Sequence, residues 1–260
     1  MKLTKSAILP LAMAFHLACA GLATAASNIP QSLLWVGNSF FYYNNSMHNF
    51  VLGFARADKN NEARGTSLTI SGSGIDWHNV SAYLAPGRIG GYSFVGDNEV
   101  QFNKPGRQFD GVVLMDCSQC PVHPKLAPIF YKYAKQHARS IRKAGAEPIF
   151  FMSWAYKDKP EMTEGLAKAY DKAGKDNKAR VIPAGLAFAN AVKARPDLEL
   201  YQRDKRHPTL AGTYLAAATT YAAIYGKSPV GSSFVSTLDA PTAQFLQQIA
   251  WDTVQAHQKK

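Results

Sequence analysis

Three polar side chains, far apart along the chain, have the types that nucleophilic catalysis needs: Ser39, Asp204 and His207. A carboxylate can orient an imidazole and stabilise its cation, while the other ring nitrogen removes a proton from a serine hydroxyl. Asp204 and His207 stand close enough in sequence for one short loop to bring them together. Each residue also has a simpler explanation, because Ser39 could begin a helix, Asp204 could cap one and His207 could lie on the surface.

The position of Ser39 depends on the segment before it. Residues 33–36 form a short apolar run that predicts a buried strand, and Gly37 tolerates a sharp exit from that strand. Open α/β sheets carry their chemistry at the carboxyl ends of such strands. We therefore expect Ser39 to hold its hydroxyl at the sheet edge, with its own backbone N–H facing the same space.

The remaining apolar patterns alternate between strand and helix. Strands are predicted at 33–36, 68–70, 112–115, 148–152 and 180–182, and helices at 44–59, 129–143, 162–172, 186–194, 209–225 and 243–257. This alternation predicts one domain with a mostly parallel sheet covered by helices on both faces. Residues 85–108 are rich in Gly, Asn and Pro and predict a long surface excursion that could shape the substrate site.

The order of these motifs resembles the SGNH/GDSL hydrolase family. The first block of that family, usually G-D-S, corresponds to G-N-S-F at 37–40, and its last block, D-x-x-H, to D-K-R-H at 204–207, which Pro208 follows. The third block, usually G-x-N-D, aligns within 110–120, with Cys117 at the glycine position and Gln119 at the asparagine position. The glycine of the second block matches Gly72, with Gly74 as a fallback.

The resemblance implies a flavodoxin-like three-layer α/β/α sandwich, the SGNH hydrolase fold, and a serine ester hydrolase that forms an acyl-enzyme. Ser39 would be the nucleophile, His207 the base and then the acid, and Asp204 the orienting carboxylate. The oxyanion hole would use the backbone N–H groups of Ser39 and Gly72 (or Gly74) and the side-chain amide of Gln119. The family chemistry implies no metal and no other cofactor.

The substrate class follows only from the resemblance and from predicted export. An acyl ester is expected, carried by a small molecule or a polysaccharide; an O-acetyl group on a carbohydrate or envelope polymer is one form. An O-acyltransferase on the same scaffold is an alternative. A second alternative is a carbohydrate-binding protein with decayed catalysis, which the altered third block and the aromatic residues near 40–43 permit.

The cysteines of the mature chain, Cys117 and Cys120, are spaced C-S-Q-C. In an oxidising compartment this pair is expected to close a small disulfide. Free thiols, a redox-active pair and a zinc site are the alternatives. A zinc site would need two further ligands, of which His123 is the only neighbouring candidate.

Residues 1–25 have the pattern of a signal peptide. Lys2 and Lys5 precede an apolar run at 7–20, and A-T-A at 23–25 provides a cleavage site. The run is too short for a comfortable membrane span, so no stable membrane insertion is expected after cleavage. Cys19 allows a lipoprotein as an alternative, although His16 stands where leucine is usual. Residues 26–260 would then form one exported domain, periplasmic or extracellular.

Composition excludes several classes of protein. The 260 residues are 47% apolar and 18% charged, which is typical of a globular chain and not of a disordered one. The formal net charge is +11, but the basic residues are scattered and form no long Lys/Arg block. A nucleic-acid partner is therefore not expected.

Overall fold

A parallel sheet forms the centre of the molecule in the computed structural model, which describes residues 29–104 and 106–259. The predicted signal peptide at 1–25, with its Cys19 alternative, lies outside the described residues. The strands are β1 (Ser32–Gly37), β2 (Arg64–Thr69), β3 (Tyr92–Gly96), β4 (Glu99–Phe102), β5 (Gly111–Leu114), β6 (Glu147–Phe151) and β7 (Arg180–Ile182). Strands β3 and β4 form a separate antiparallel hairpin, and the other five form the sheet.

The order of the sheet is β2-β1-β5-β6-β7, and every pairing in it is parallel. Strand β1 lies between β2 and β5, with Val36 opposite Leu114 and Gly37 opposite Thr69. The chain passes from β1 to β2 on one side and then to β5 on the other side of β1, so the strand order reverses between β1 and β5. Open α/β sheets bind their ligands beyond the carboxyl ends of strands at such a switch point, and the segment that follows Gly37 begins there.

Helices cover both faces of the sheet. They are α1 (Ser39–Tyr42), α2 (Met47–Ala57), α3 (Val80–Tyr83), α4 (Ala127–Lys143), α5 (Met162–Asn177), α6 (Ala184–Ala194), α7 (Leu210–Tyr225) and α8 (Ala240–Gln258). One core packs α2, α6, α7 and α8 against the sheet, and a second core packs α3, α4 and α5 against its opposite face. The three-layer α/β/α fold predicted from the sequence is confirmed.

Strand β1 shows why its sequence is an unbroken apolar run. Leu33 and Trp35 face the first core, whereas Leu34 and Val36 face the second. All four side chains are buried because successive strand residues point to opposite faces of a sheet that is covered on both sides. This central strand is therefore held rigidly at the point where the serine-bearing turn begins.

Several segments differ from the sequence-based prediction: α2 begins at Met47 and not at residue 44, and α5 continues past residue 172 to Asn177. Strand β2 begins at Arg64, well before the predicted start at residue 68. It is an edge strand with mostly half-buried side chains, so only the segment 68–70, which overlaps its carboxyl end, gave a signal. The 85–108 excursion contains the β3–β4 hairpin, whose Tyr92, Val100 and Phe102 are exposed, and the sequence pattern did not predict those strands.

Candidate active site

Ser39 is the first residue of the short helix α1, directly after β1. The side chain of Asn38 caps this turn by accepting a hydrogen bond from the backbone N–H of Phe40 at 3.2 Å. Gly37 is needed for close packing, because a Cβ atom there would lie 2.8 Å from the ring of Phe41. Ser39 therefore both begins a helix and stands at the end of a strand.

Asn38 also links the three segments that follow β1, β2 and β5. Its amide nitrogen donates to the carbonyl oxygen of Ser73, after β2, at 2.9 Å and to that of Asp116, after β5, at 3.1 Å. The side chain is buried, so these bonds satisfy both amide protons away from water. An ionised aspartate, which the family usually has here, would place its oxygens against two carbonyl oxygens and could not replace these bonds.

The structure brings Ser39, His207 and Asp204 together. Ser39 Oγ lies 2.8 Å from His207 Nε2, and His207 Nδ1 lies 2.5 Å from Asp204 Oδ2. With the Nδ1 proton donated to the carboxylate, Nε2 is free to accept the serine proton. A hydroxyl in this arrangement can lose its proton to the ring as its oxygen attacks an electrophile.

The loop that carries Asp204 and His207 is tied down by its own backbone. Asp204 Oδ1 accepts the backbone N–H groups of Arg206 and His207, each at 3.0 Å, and the backbone N–H of Gln202 donates to the His207 carbonyl at 2.7 Å. Partial burial acts to raise the pKa of Asp204, but the bonds from the His207 ring and the two N–H groups outweigh it and lower the pKa to about 2. The carboxylate is therefore charged at neutral pH.

Two aromatic rings hold the imidazole of His207. The ring of Tyr43 stacks on it with a centroid distance of 4.2 Å and an interplanar angle of 9°. Phe40 contacts it edge-on at 5.4 Å. The amide of Asn44 donates to the carbonyl oxygen of Pro208 at 3.0 Å, which ties the segment after α1 to the His207 loop. These contacts restrict the rotation of the ring, and the sequence pattern alone did not assign them.

The two glycines considered for an oxyanion hole have different surroundings. Gly72 is exposed with φ of +70°, and its turn lies beside α1, since Tyr42 Oη is 3.1 Å from Ser71 Oγ. Gly74 is buried, and a Cβ atom there would lie 2.9 Å from a carboxylate oxygen of Asp116. The N–H groups of Ser39 and Gly72 make no hydrogen bond within the described part of the chain. Gly72 is thus the more accessible of the two glycines.

Gln119 lies on a tight turn after β5 that is closed by a disulfide between Cys117 and Cys120. The backbone N–H of Cys120 also donates to the Cys117 carbonyl at 3.2 Å. The Gln119 side chain is exposed and makes no hydrogen bond with any residue that the structure describes. The disulfide therefore restrains the turn while the amide stays available to a ligand, and in this state neither sulfur is a free thiol.

Asp116 is a buried carboxyl group behind this turn. Burial raises its pKa to about 6, although the backbone N–H groups of Ile75 and Cys117 donate to its Oδ1. His78 is buried nearby, where Ser73 Oγ and the Gly37 carbonyl contact its Nε2 at 3.0 and 3.1 Å. Sequence reasoning missed both residues. The polar Asp116 directly after a buried strand was the available signal, whereas His78 had none.

No group of three or more His, Cys, Asp or Glu side chains that could hold a metal occurs among residues 29–104 and 106–259. In the same described ranges, no helix is long and apolar enough to cross a membrane.

Comparisons with known proteins gave matches at the level of structure. No family model matches the sequence, and no curated protein matches it. A DUF4886 family protein from Bacteroides uniformis superposes with a TM-score of 0.59 at 16% identity, over 86% of this chain and 94% of that one. A protein from Slackia heliotrinireducens described as a candidate SGNH hydrolase gives a TM-score of 0.54 at 21% identity, over 74% and 98%. An acetyl xylan esterase gives 0.54 at 14% identity, over 74% and 99%.

At these identities the similarity concerns the fold. The superpositions cover nearly the whole length of the other chains, and they agree with the strand order and layers described above. This chain therefore has the three-layer fold seen in SGNH hydrolases. Any conclusion about its chemistry depends on its own residues.

Proposed function

We propose that this chain is a serine ester hydrolase of the SGNH type that works through an acyl-enzyme on Ser39. The observation that carries the proposal is the hydrogen-bonded series from Ser39 Oγ to His207 Nε2 and from His207 Nδ1 to Asp204. Its position supports the proposal further, because Ser39 follows β1 at the switch point between β1 and β5, where open α/β folds bind their ligands.

In the first half-reaction, Ser39 Oγ attacks the carbonyl carbon of the ester while His207 Nε2 takes the hydroxyl proton. The negative charge of the tetrahedral intermediate collapses to form the acyl-serine bond and break the bond to the alcohol, and His207 returns the proton to the departing alkoxide. Asp204 stabilises the transient imidazolium, and its lowered pKa keeps it ionised for this role.

In the second half-reaction, water attacks the acyl-serine, loses its proton to His207 and releases the carboxylic acid and free Ser39. The oxyanion in both steps would be held by the N–H groups of Ser39 and Gly72 and by the amide of Gln119. Support for this assignment comes from the open surroundings of Gly72 and the unpaired Gln119 amide among the described residues. Each such donor stabilises the transition state by about 3 kcal/mol.

The proposed substrate is an acyl ester, with an O-acetyl group on a carbohydrate or envelope polymer as one form. The structural neighbour named as an acetyl xylan esterase makes such esters a reasonable first set to assay. Acyl transfer to a sugar is the alternative on the same scaffold. The ratio of released acid to acylated sugar, measured in the presence of an acceptor, distinguishes transfer from hydrolysis.

Export to the periplasm or beyond is part of the proposal, supported by the signal-peptide pattern at 1–25. Production of the full chain in a Gram-negative host, followed by intact-mass measurement of the fractionated protein, tests it. A periplasmic or extracellular product that begins after Ala25 or Ala26 is expected. An uncleaved cytoplasmic product would contradict export, and a lipid-modified Cys19 would instead support the lipoprotein alternative.

The function is tested by treating the mature protein with a fluorophosphonate and measuring its intact mass. Wild type should gain a single adduct, and the Ser39→Ala and His207→Ala variants should gain none while remaining folded by circular dichroism. Ser71→Ala is the matched control, because that hydroxyl lies beside α1 but bonds to Tyr42 and not to an imidazole. It should be labelled like wild type.

The labelling result is followed by assays with acetyl esters, in which Ser39→Ala should abolish turnover. A folded wild-type protein that takes no adduct and hydrolyses no ester would overturn the proposal. Binding of an intact polysaccharide without turnover would then favour the decayed carbohydrate-binding alternative.

A further inference from the structure

Arg206 directly precedes His207, so the loop that carries the candidate base also carries a cation. Its guanidinium lies over the ring of Tyr156, with Cζ 4.7 Å from the ring centroid. The side chain is exposed, so the remaining edge of the guanidinium can be reached from solvent. A guanidinium placed over an aromatic ring can still offer its forked N–H groups to a ligand.

The backbone of Arg206 is fixed at both ends. Its N–H donates to Asp204 Oδ1 at 3.0 Å, and its carbonyl oxygen accepts the indole N–H of Trp154 at 2.9 Å. Trp154 is buried and stacks on Phe40, the residue after Ser39, with a centroid distance of 4.7 Å. The backbone of Arg206 is thus fixed by contacts that also reach Phe40, the neighbour of the candidate nucleophile.

The ring beneath the guanidinium is also fixed. Tyr156 is buried, and its hydroxyl lies 2.7 Å from the Oγ of Ser118. Ser118 is the neighbour of Gln119 on the disulfide-closed turn. The Arg206 side chain therefore extends from the His207 loop over Tyr156, and Tyr156 in turn contacts the turn that carries the candidate oxyanion donor.

The charge of Arg206 is not neutralised within the described part of the chain, where no carboxylate forms an ion pair with it. Two neighbouring lysines are paired: Lys157 with Glu199 at 2.8 Å and Lys205 with Asp158 at 3.4 Å. A cation that is oriented but unpaired, one residue before the candidate base, is available to an anionic part of the substrate.

We infer that Arg206 recognises a carboxylate in the alcohol part of the ester, which makes acidic alcohols, such as uronic-acid residues, the preferred acyl carriers. This inference rests on the proposed esterase function. The alcohol part is specified because His207 Nε2 must return its proton to the leaving oxygen, and Arg206 is the preceding residue of the same loop. A carboxylate matches the two parallel N–H donors of a guanidinium.

The test compares two acetyl esters that differ in charge, para-acetoxybenzoate and its methyl ester. The ratio of their kcat/KM values is measured for wild type, Arg206→Gln, Arg206→Lys and Arg203→Gln. Because intrinsic ester reactivity is the same for every variant, it cancels when the ratios are compared. Arg203 is the matched control, since it is an exposed cation of the same loop and makes no cation–π contact within the described part of the chain.

Arg206→Gln should lower the anionic-to-neutral ratio by about tenfold or more, mainly through KM for the anionic ester. Arg206→Lys should retain only part of the preference, because it keeps the charge but loses the forked donors. Arg203→Gln should leave the ratio unchanged, and added salt should reduce the wild-type ratio.

An Arg206→Gln ratio equal to that of wild type would overturn this inference while leaving the esterase proposal intact, provided that hydrolysis still depends on Ser39. An equal fall of the anionic-to-neutral ratio in Arg203→Gln and Arg206→Gln would also overturn it. That result would indicate a general electrostatic effect of the positive loop and not a direct contact with Arg206. Para-nitrophenyl hemisuccinate carries a carboxylate in its acyl part, whereas para-nitrophenyl butyrate carries none. If Arg206 produces a preference for the hemisuccinate over the butyrate but none for para-acetoxybenzoate, the assignment to the alcohol side is overturned. Failure of wild type to hydrolyse either ester would count against the esterase proposal itself.

Discussion

At the scale of single residues, the candidate chemistry depends on hydrogen bonds that hold one tautomer and one orientation of an imidazole. Asp204 makes three such bonds, one to the His207 ring and two to backbone N–H groups. Tyr43 and Phe40 restrict the same ring from its face and edge. The residues that contact His207 thus fix its geometry together with the carboxylate.

Asp204→Asn should lower kcat by about 10³- to 10⁴-fold, because an amide can stabilise neither the required tautomer nor the imidazolium. The measurement is steady-state hydrolysis of an aryl acetate at neutral pH. Asp158→Asn is the control, since it removes a nearby exposed carboxylate that pairs with Lys205 and does not contact His207. A loss below tenfold in Asp204→Asn would show that the carboxylate does not support the ring.

Asp116 leads to a prediction about pH and stability. Its pKa, raised to about 6 by burial, exceeds the value of about 4 for an unfolded chain. Between these pH values the folded state holds the proton more tightly, so the free energy of unfolding falls as the pH rises, by up to about 3 kcal/mol. Asn resembles the protonated acid and keeps an oxygen acceptor for Ile75 and Cys117.

Asp116→Asn should therefore gain stability relative to wild type when the pH is raised from 4 to 7. Urea unfolding of both proteins at several pH values measures the difference. Other titrating groups, such as the buried His78, are present in both proteins and contribute to both curves. A difference that stays constant with pH would contradict the raised pKa of Asp116.

At the scale of elements, the segments that follow β1, β2 and β5 are held in place by hydrogen bonds and a disulfide. The Asn38 amide bridges the segments after β2 and β5, and the disulfide closes the turn after β5. The short helix α1 presents Ser39 to the loop before α7. Because these connections cross between elements, the relative positions of Ser39, Gly72 and Gln119 depend on turns of only a few residues.

Replacement of both Cys117 and Cys120 by Ser should lower kcat by up to about 100-fold, because the Gln119 turn loses its restraint and an oxyanion donor is worth about that much. The effect on stability should be modest, about 2 kcal/mol, because the disulfide closes a very short loop. Aryl-acetate kinetics and urea unfolding check the two parts. Gln119→Ala removes the donor completely, so its loss of kcat is the largest that the double-serine variant should show. A much larger loss of kcat in the double-serine variant would indicate that the disulfide supports more of the site than the Gln119 turn.

At the scale of the whole molecule, the central sheet separates two apolar cores. Helix α7 is buried along nearly its whole length in one of them, where Thr219 and Thr220 satisfy their hydroxyls on the carbonyl oxygens of Leu215 and Ala216 at 2.8 Å. The other core packs α4 and α5 against the opposite face. Since both cores contain side chains of β1, loosening either one acts on the strand that leads to Ser39.

Leu215→Ala and Leu166→Ala, one in each core, should each lower the free energy of unfolding by about 2–5 kcal/mol. Their side chains are fully or almost fully buried and belong to separate clusters, so the double variant should show the sum of the two losses within about 0.5 kcal/mol. Denaturant unfolding measures all three variants. A clearly smaller combined loss would mean that the two cores unfold independently.

The sequence alone determined what depends on local pattern. The unbroken apolar run at 33–36 predicted a central strand, and alternation of strand and helix patterns predicted a parallel sheet with helices on both faces. The order of the G-N-S-F and D-K-R-H blocks was sufficient to nominate Ser39, Asp204 and His207. These features are readable because burial imposes a periodicity on the chain and because strand ends are natural places for polar residues.

Only the tertiary structure decided which side chains meet across the sheet edge. The stacking of Tyr43 on His207, the bridge made by Asn38 and the position of Arg206 over Tyr156 join residues from separate elements. The sequence already preferred Gly72 with Gly74 as the fallback, whereas the difference in their exposure depends on what packs around each one. Such contacts leave no periodic pattern in the sequence, because they depend on how the loops of neighbouring strands pack together in three dimensions.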